Sequence, residues 1–392
     1  MARFASNQTS GDDMTTIHGT FDEAFAPVRD QFERNFADGL ELGASLCVTK
    51  DGETVVDLWG GDADTHGRPW ERDTICNVWS TTKTLSAVTM LVLAERGLID
   101  LDAPVATYWP EFAVNGKDGV LVRHVLAHTA GLPGWDPVIA AEDLYDQDVL
   151  AANLAAQAPW WEPGTEAGYH LITQGHLEAE IVRRVTGRTI GEYFRDEIAG
   201  PLGADAHIGL PESEEPRVAE MVPPDVLALV DEAQTPPDSI AARATFSVPI
   251  TAHEQNTREW RAAEIPAAGG TANARSVARV HALLANGGRL DGVDLLSAAT
   301  LHRIFDEQIE AVDQVLGMKM RYGIGFGLMN ETIPLSTSTR ACFWGGWGGS
   351  ITVVDLDTRT SFAYVMNRMA SGLAGDFRGA LLAVLTAGIV AD

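Results

Sequence analysis

The sequence predicts the α/β class, in its α+β form: an antiparallel sheet flanked by helices, with a mainly helical segment set between its strands. Three observations lead there. Near the N-terminus two β-leaning runs, 44–50 and 54–59, bracket Asp51-Gly52, a dipeptide that favours a two-residue hairpin turn. Near the C-terminus, 350–356 and 361–366 repeat that arrangement across a short polar turn. Between the two pairs the character changes to helices and loops punctuated by Pro and Gly. Hairpins pair antiparallel, so strands at both ends and helices in the middle predict a discontinuous sheet domain with a helical insertion.

Taken in order, residues 1–20 form a polar leader, expected to be flexible and lacking the apolar core of a secretory signal. Residues 21–36 space their apolar side chains as an amphipathic helix does. The first hairpin follows. Residues 81–96 then read as a helix stopped by Gly97, apolar on most faces and hence central and buried. Residues 113–267 are assigned to the mainly helical domain, with a Pro-, Glu- and Asp-rich surface excursion at 211–239. After it come a helix at 276–285 ending at Gly287-Gly288, the second strand pair, and a closing helix at 379–390. Residues 21–112 and 268–392 together make the discontinuous α/β domain, and a ligand cleft is expected between the two parts.

Composition narrows the function. The 392 residues carry 28 Lys plus Arg against 55 Asp plus Glu, a formal charge of −27, and 45% are hydrophobic. That apolar content excludes a largely disordered chain. The acidic balance argues against nucleic acid and against an anionic membrane surface, both of which need clustered cations. Cys47, Cys76 and Cys342 are widely spaced and form no CxxC pair, which suits buried thiols in a reducing compartment. The apolar runs 85–94 and 380–391 fall short of the roughly 20 residues that a membrane span takes. A soluble cytoplasmic protein acting on a small molecule is the expectation; the sequence leaves its oligomeric state open.

Lysine is scarce, at positions 50, 83, 117 and 319 only, so a lysine entering the apolar helix stands out. Lys83 closes Ser80-Thr81-Thr82-Lys83. Three residues apart on a helix, the two side chains share one surface. Burial strips a lysine of proton affinity and can make it a neutral base. A serine beside a helix N-terminus lies where free N–H groups favour developing negative charge. Together they describe an activated nucleophile. On its own the motif reads as Ser80 capping the helix while Lys83 reaches water.

The surroundings alter that reading. Ser80-Thr81-Thr82-Lys83 and its apolar helix resemble the serine β-lactamase and penicillin-recognising superfamily, whose signature is SxxK. More specifically, the chain resembles the class C β-lactamase-like carboxylesterases, the family VIII esterases, in order from about residue 21 to 390. Leu126-Ala127-His128-Thr129-Ala130-Gly131-Leu132 is similar to the family's L-x-H-T-S-G-L segment, and Glu162-Pro163-Gly164 with Tyr169 to its P-G…Y segment. The stretch from Ile198 to Gly203, ending Pro-Leu-Gly, then Ala268-Gly269-Gly270, and finally Phe343-Trp344-Gly345-Gly346-Trp347-Gly348-Gly349-Ser350 match later landmarks. The resemblance implies a serine β-lactamase-like fold, with Ser80 as nucleophile, Lys83 as base and Tyr169 as proton shuttle. It also implies an oxyanion hole formed by the backbone N–H groups of Ser80 and Trp347. A tyrosine near a neutral lysine is expected to lose its proton more readily; taken at random, a tyrosine is half-buried with its hydroxyl bonded.

Two departures bear on substrate. Leu171 stands where the lactamases carry asparagine, and Trp344 where their third motif begins with a lysine that pairs with a substrate carboxylate. An uncharged aromatic face there favours apolar substrates. Gly345 and Gly346 let a substrate approach the strand, although taken alone the glycines read as readily as a turn. Trp344, Gly345, Gly346, Trp347, His170, Trp160 and Trp161 are the candidate binding residues. The expected activity is hydrolysis of carboxylic esters with short acyl chains through an acyl-enzyme on Ser80, with no metal and no organic cofactor. The alternatives are a β-lactamase, amidase or peptidase, an acyltransferase using the same site, and a non-catalytic penicillin-binding-like sensor. His124 and His128 have the i, i+4 spacing of zinc ligands on one helical face, but no third ligand accompanies them and they read as structural. GxSxG, Walker A and GxGxxG patterns are absent.

Overall fold

The computed structural model describes residues 15–224 and 236–391. A nine-stranded antiparallel sheet runs in the spatial order Ile17–Phe21, Glu53–Gly61, Gly43–Lys50, Thr360–Met366, Ile351–Asp355, Ala341–Gly345, Gly327–Leu328, Lys319–Tyr322, Ile309–Val312. Asp51 (φ 54°) and Gly52 (φ 88°) are both left-handed, as the tight turn of the first hairpin requires. The two ends of the chain meet where Gly43–Lys50 pairs with Thr360–Met366, from Ala44 opposite Met366 to Lys50 opposite Thr360.

Helices cover both faces of the sheet. Along Thr360–Met366, Ser361 donates to the Ala278 carbonyl on the Ala274–Ala285 helix. Tyr364, three residues on and therefore on the opposite face, packs against Gly379 of the closing helix Phe377–Val390. Every residue of this strand is buried, which is why 362–366 reads as a continuous apolar run. The Thr82–Glu95 helix is buried from Thr82 to Leu93 and packs against the Thr173–Thr186 helix, joining the helical part to the sheet.

Several expectations need correction. The leader expected over 1–20 lies outside the described residues up to 14, but Ile17–Phe21 is a strand paired with Glu53–Gly61. The helix expected at 21–36 begins at Ala26, with Pro27 in its first turn, and is preceded by the 3₁₀ turn Glu23–Phe25. The surface excursion at 211–239 is partly anchored: Val218 bridges Ile75, Val222 bridges Arg368, and Ala219 and Met221 are buried. Its residues 225–235 lie outside the described residues. His124 and His128 do not share a helix, because Val122–Leu126 ends first and His128 takes φ 59°.

Candidate active site

Ser80 lies on an abrupt strand-to-helix turn. Cys76–Asn77 pairs with Thr271–Ala272, and the chain then passes through the 3₁₀ turn Trp79–Thr81 into the Thr82–Glu95 helix. Trp79 holds φ 45°, a conformation unusual for a bulky residue. Asn77 supports it: its Oδ1 accepts from the Trp79 N–H at 3.0 Å while its Nδ2 donates to Ala268 O at 3.1 Å. Ser350 ties the turn to the glycine-rich segment, donating to Val78 O at 2.8 Å and lying 2.9 Å from Thr81 Oγ1.

Lys83 is 2% exposed. Its Nζ lies 2.7 Å from Leu171 O, 2.9 Å from Ala267 O and 3.3 Å from Ser80 Oγ. Burial holds the amine well below the usual lysine range, opposed by the nearby Glu178 carboxyl. A neutral amine has two N–H groups and one lone pair. The two carbonyls take the N–H groups, which leaves the lone pair for Ser80. Leu171, expected at the position of the lactamase asparagine, contributes its backbone carbonyl.

Tyr169 is fully buried, its ring centroid 4.7 Å from Lys83 Nζ. The hydroxyl is turned toward Ser80 and the Trp344 indole, yet it completes no hydrogen bond among the described residues. Burial raises the phenol above its ordinary value, against the expectation that it would ionise readily. At rest it is a proton donor. Its backbone is fixed by Asp313, a residue that no motif singles out. Asp313 Oδ1 accepts from the Tyr169 N–H at 3.0 Å, and Oδ2 accepts from the Tyr322 hydroxyl at 2.7 Å.

His128 is also closer to the site than expected. Its ring stands edge-on to Tyr169 at 4.9 Å and stacks on Trp344 at 5.3 Å. Its Nδ1 accepts from the His170 N–H at 3.1 Å, and burial together with His170 and Lys83 keeps it neutral. Its place in the Leu126–Leu132 motif was the available signal. His170 donates from Nδ1 to Gly168 O at 2.6 Å and accepts at Nε2 from the Leu132 N–H at 3.1 Å. Both nitrogens are thus engaged, and burial lowers its pKa to about 3. His170 is a neutral clip between loops rather than a substrate contact.

The glycine-rich segment reaches the turn. An added Cβ at Gly346 would fall 2.4 Å from Val78 O and 3.2 Å from the Ser80 N, so only glycine fits. Gly345 is equally close to Ala374 and has no room for a substrate. Among the described residues neither the Ser80 nor the Trp347 backbone N–H finds an acceptor. Trp347 packs against Trp79 with ring centroids 4.9 Å apart and planes tilted by 59°.

A cavity of about 30 Å³ opens above Ser80 and Tyr169, walled by Leu171, Ile172, Val248, Ile250, Trp347 and Leu373. Among the described residues no charged side chain lines it. Of the expected aromatic wall only Trp347 is present. Trp344 is buried in the sheet beneath Tyr169. Trp161 covers Gly168, and Trp160 lies under the Arg243 guanidinium, 3.8 Å away. Trp344 and Trp161 thus back the site through Tyr169, Gly168 and His170.

Comparison with known proteins agrees with this architecture. A structure described as a family VIII carboxylesterase superposes with a TM-score of 0.88 at 43% identity, covering 96% of this chain and 100% of that one. A penicillin-binding protein homologue from Caulobacter crescentus gives a TM-score of 0.88 at 38% identity, covering 95% and 100%. The esterase/β-lactamase LipL of Mycobacterium tuberculosis is 36% identical over 381 residues, covering 95% of this chain and 87% of that protein. With the β-lactamase family model matching residues 32–385, the chain belongs to the β-lactamase family.

Proposed function

We propose that the protein is a serine carboxylesterase that cleaves esters of short acyl chains through an acyl-enzyme on Ser80. The observation that carries this reading is the buried Lys83 amine, with two carbonyls on its N–H groups and Ser80 on its free side. Lys83 takes the Ser80 proton as Oγ attacks the ester carbonyl. The backbone N–H groups of Ser80 and Trp347 receive the oxyanion. As the C–O bond to the alcohol breaks, the neutral Tyr169 phenol protonates the departing oxygen and is recharged from Lys83. Water then attacks the acyl-enzyme, yields its proton by the same groups in reverse, and releases the acid while Ser80 regains its hydrogen.

The site favours small neutral acyl groups. A cavity of about 30 Å³ has room for one or two waters, which matches the first one or two carbons of an acyl chain. Its uncharged lining and Trp344, in place of the lactamase lysine, give a lactam carboxylate no cationic partner. The buried thiols of Cys47, Cys76 and Cys342 support a reducing compartment, the cytoplasm. Among the described residues no helix is long and apolar enough to cross a membrane. Rates on p-nitrophenyl butyrate and on a chromogenic cephalosporin test the reading. The ester is expected to be cleaved at least about a hundredfold faster, with Ser80→Ala inactive on both. Equal rates, or a cephalosporin preference, would make the protein a lactamase instead.

A further inference from the structure

Beneath the glycine-rich segment, on the sheet face opposite the Ala274–Ala285 helix, lies a buried cluster that the reaction itself does not use. Arg378, at the start of the closing helix, is 3% exposed. Its Nη1 donates to Glu41 Oε2 at 2.8 Å, Leu40 O at 2.9 Å and Arg368 O at 3.1 Å. Its Nε donates to Asp376 Oδ2 at 2.6 Å, and its Nη2 to Gly348 O at 2.8 Å. The other Glu41 oxygen accepts from the Tyr364 hydroxyl. Two buried carboxyls and a guanidinium are costly to desolvate, and such a cluster persists when its hydrogen bonds are complete. Here they end on the loop that carries Trp347.

The peptide plane supplies the link. In a trans peptide the carbonyl of Gly346 and the N–H of Trp347 point in opposite directions, so fixing one aims the other. Gly346 O accepts from the Gly375 N–H at 3.0 Å and from the Gly349 N–H at 3.2 Å. Gly375 precedes Asp376, which Arg378 grips, and Gly348 O on the far side of Trp347 is bonded to Arg378 directly. The guanidinium thus braces both flanks of the Trp347 peptide N–H, which is left without an acceptor among the described residues.

We propose that Arg378, held by Glu41, Asp376 and Tyr364, is a positioning residue that aims the Trp347 N–H at the oxyanion formed on the substrate carbonyl. This rests on the assignment of Ser80 and Trp347 made above. Lysine at 378 cannot replace the fork, because one ammonium cannot reach Gly348, Asp376 and Glu41 together. The effect falls on the tetrahedral species rather than on the bound ester.

The test measures kcat and KM on p-nitrophenyl butyrate, and inhibition by 1-butaneboronic acid, which becomes tetrahedral on bonding the serine oxygen. Wild type, Arg378→Lys, the milder Tyr364→Phe and Ser80→Ala are compared, with melting curves for each. Arg378→Lys is expected to lose about tenfold or more in kcat, with KM within about twofold of wild type and the boronic acid inhibition constant raised by the same factor as kcat falls. Tyr364→Phe is expected to move both in parallel by less, and it decides the matter if Arg378→Lys does not fold. A folded variant with wild-type kcat and inhibition overturns the proposal. So does one that loses kcat while keeping boronic acid affinity, because the oxyanion would then be unaffected. Ser80→Ala separates the premises: if it still turns over the ester or binds the boronic acid as wild type does, the nucleophile assignment fails, whatever Arg378 does.

Discussion

Lys83 illustrates how a side chain's state follows from its partners. Carbonyls at 2.7 and 2.9 Å engage two N–H groups, and burial disfavours a third proton. Catalysis by the neutral amine is lost as pH falls through this lowered pKa. The acid limb of kcat/KM is therefore expected well below the ordinary lysine range, and a pH–rate profile measures it. Lys83→Arg stays protonated at every working pH and is expected to lose at least about a hundredfold in kcat. Asp313 acts at one remove. Asp313→Ala strands the buried Tyr169 N–H, at a cost of about 1–3 kcal/mol. A lower melting temperature and a fall in kcat of about tenfold are expected, with KM changed less, as steady-state kinetics and thermal melts report.

At the scale of elements, the glycine-rich segment and the strand-to-helix turn are built against each other. Gly346→Ala drives a methyl toward Val78 O and the Ser80 N–H. Its expected result is a folded protein with kcat reduced about a hundredfold, since the oxyanion loses the approach to a donor; circular dichroism and kinetics check the two halves. Elements with strong local signals were legible in the sequence. Asp51-Gly52 takes the two left-handed conformations its hairpin implies, and the apolar run after Lys83 is a buried helix from Thr82. The short strands Ile309–Val312, Lys319–Tyr322 and Gly327–Leu328 were not, being two to four residues long and too short for an alternation to register. Trp344 was misplaced for a related reason. Its strand is buried on both faces, so no pattern distinguishes cavity from core. Asp313 gave no signal because its role depends on Tyr169, 144 residues away.

The whole molecule encloses more ionisable groups than its surface reveals. His124, His128, His170, His176 and His281 are buried with lowered pKa values, about 3 for His170 and His176 and about 4 for His124 and His281. Below about pH 6.5 the unfolded chain protonates these rings and the folded one does not, so their contribution is present above that pH and lost as pH falls. Glu41, raised to about 7, and Glu178, raised to about 8, act oppositely, because folding then favours their protonated forms. Glu264 and Asp376, also raised by burial, act with them, while Lys83, kept neutral by burial, acts with the rings; the rings and the lysine outweigh the carboxyls, so the melting temperature is expected to fall as pH drops from about 7 to 5. The parts converge from distant segments on one oxygen, and the most direct measurement is made there: intact-mass spectrometry of protein quenched during turnover of a butyrate ester, followed by peptide mapping. A butyryl adduct on Ser80 in wild type, absent from Lys83→Arg, is the expected result. An adduct on another residue, or equal acylation of Lys83→Arg, would contradict activation of Ser80 by an uncharged lysine.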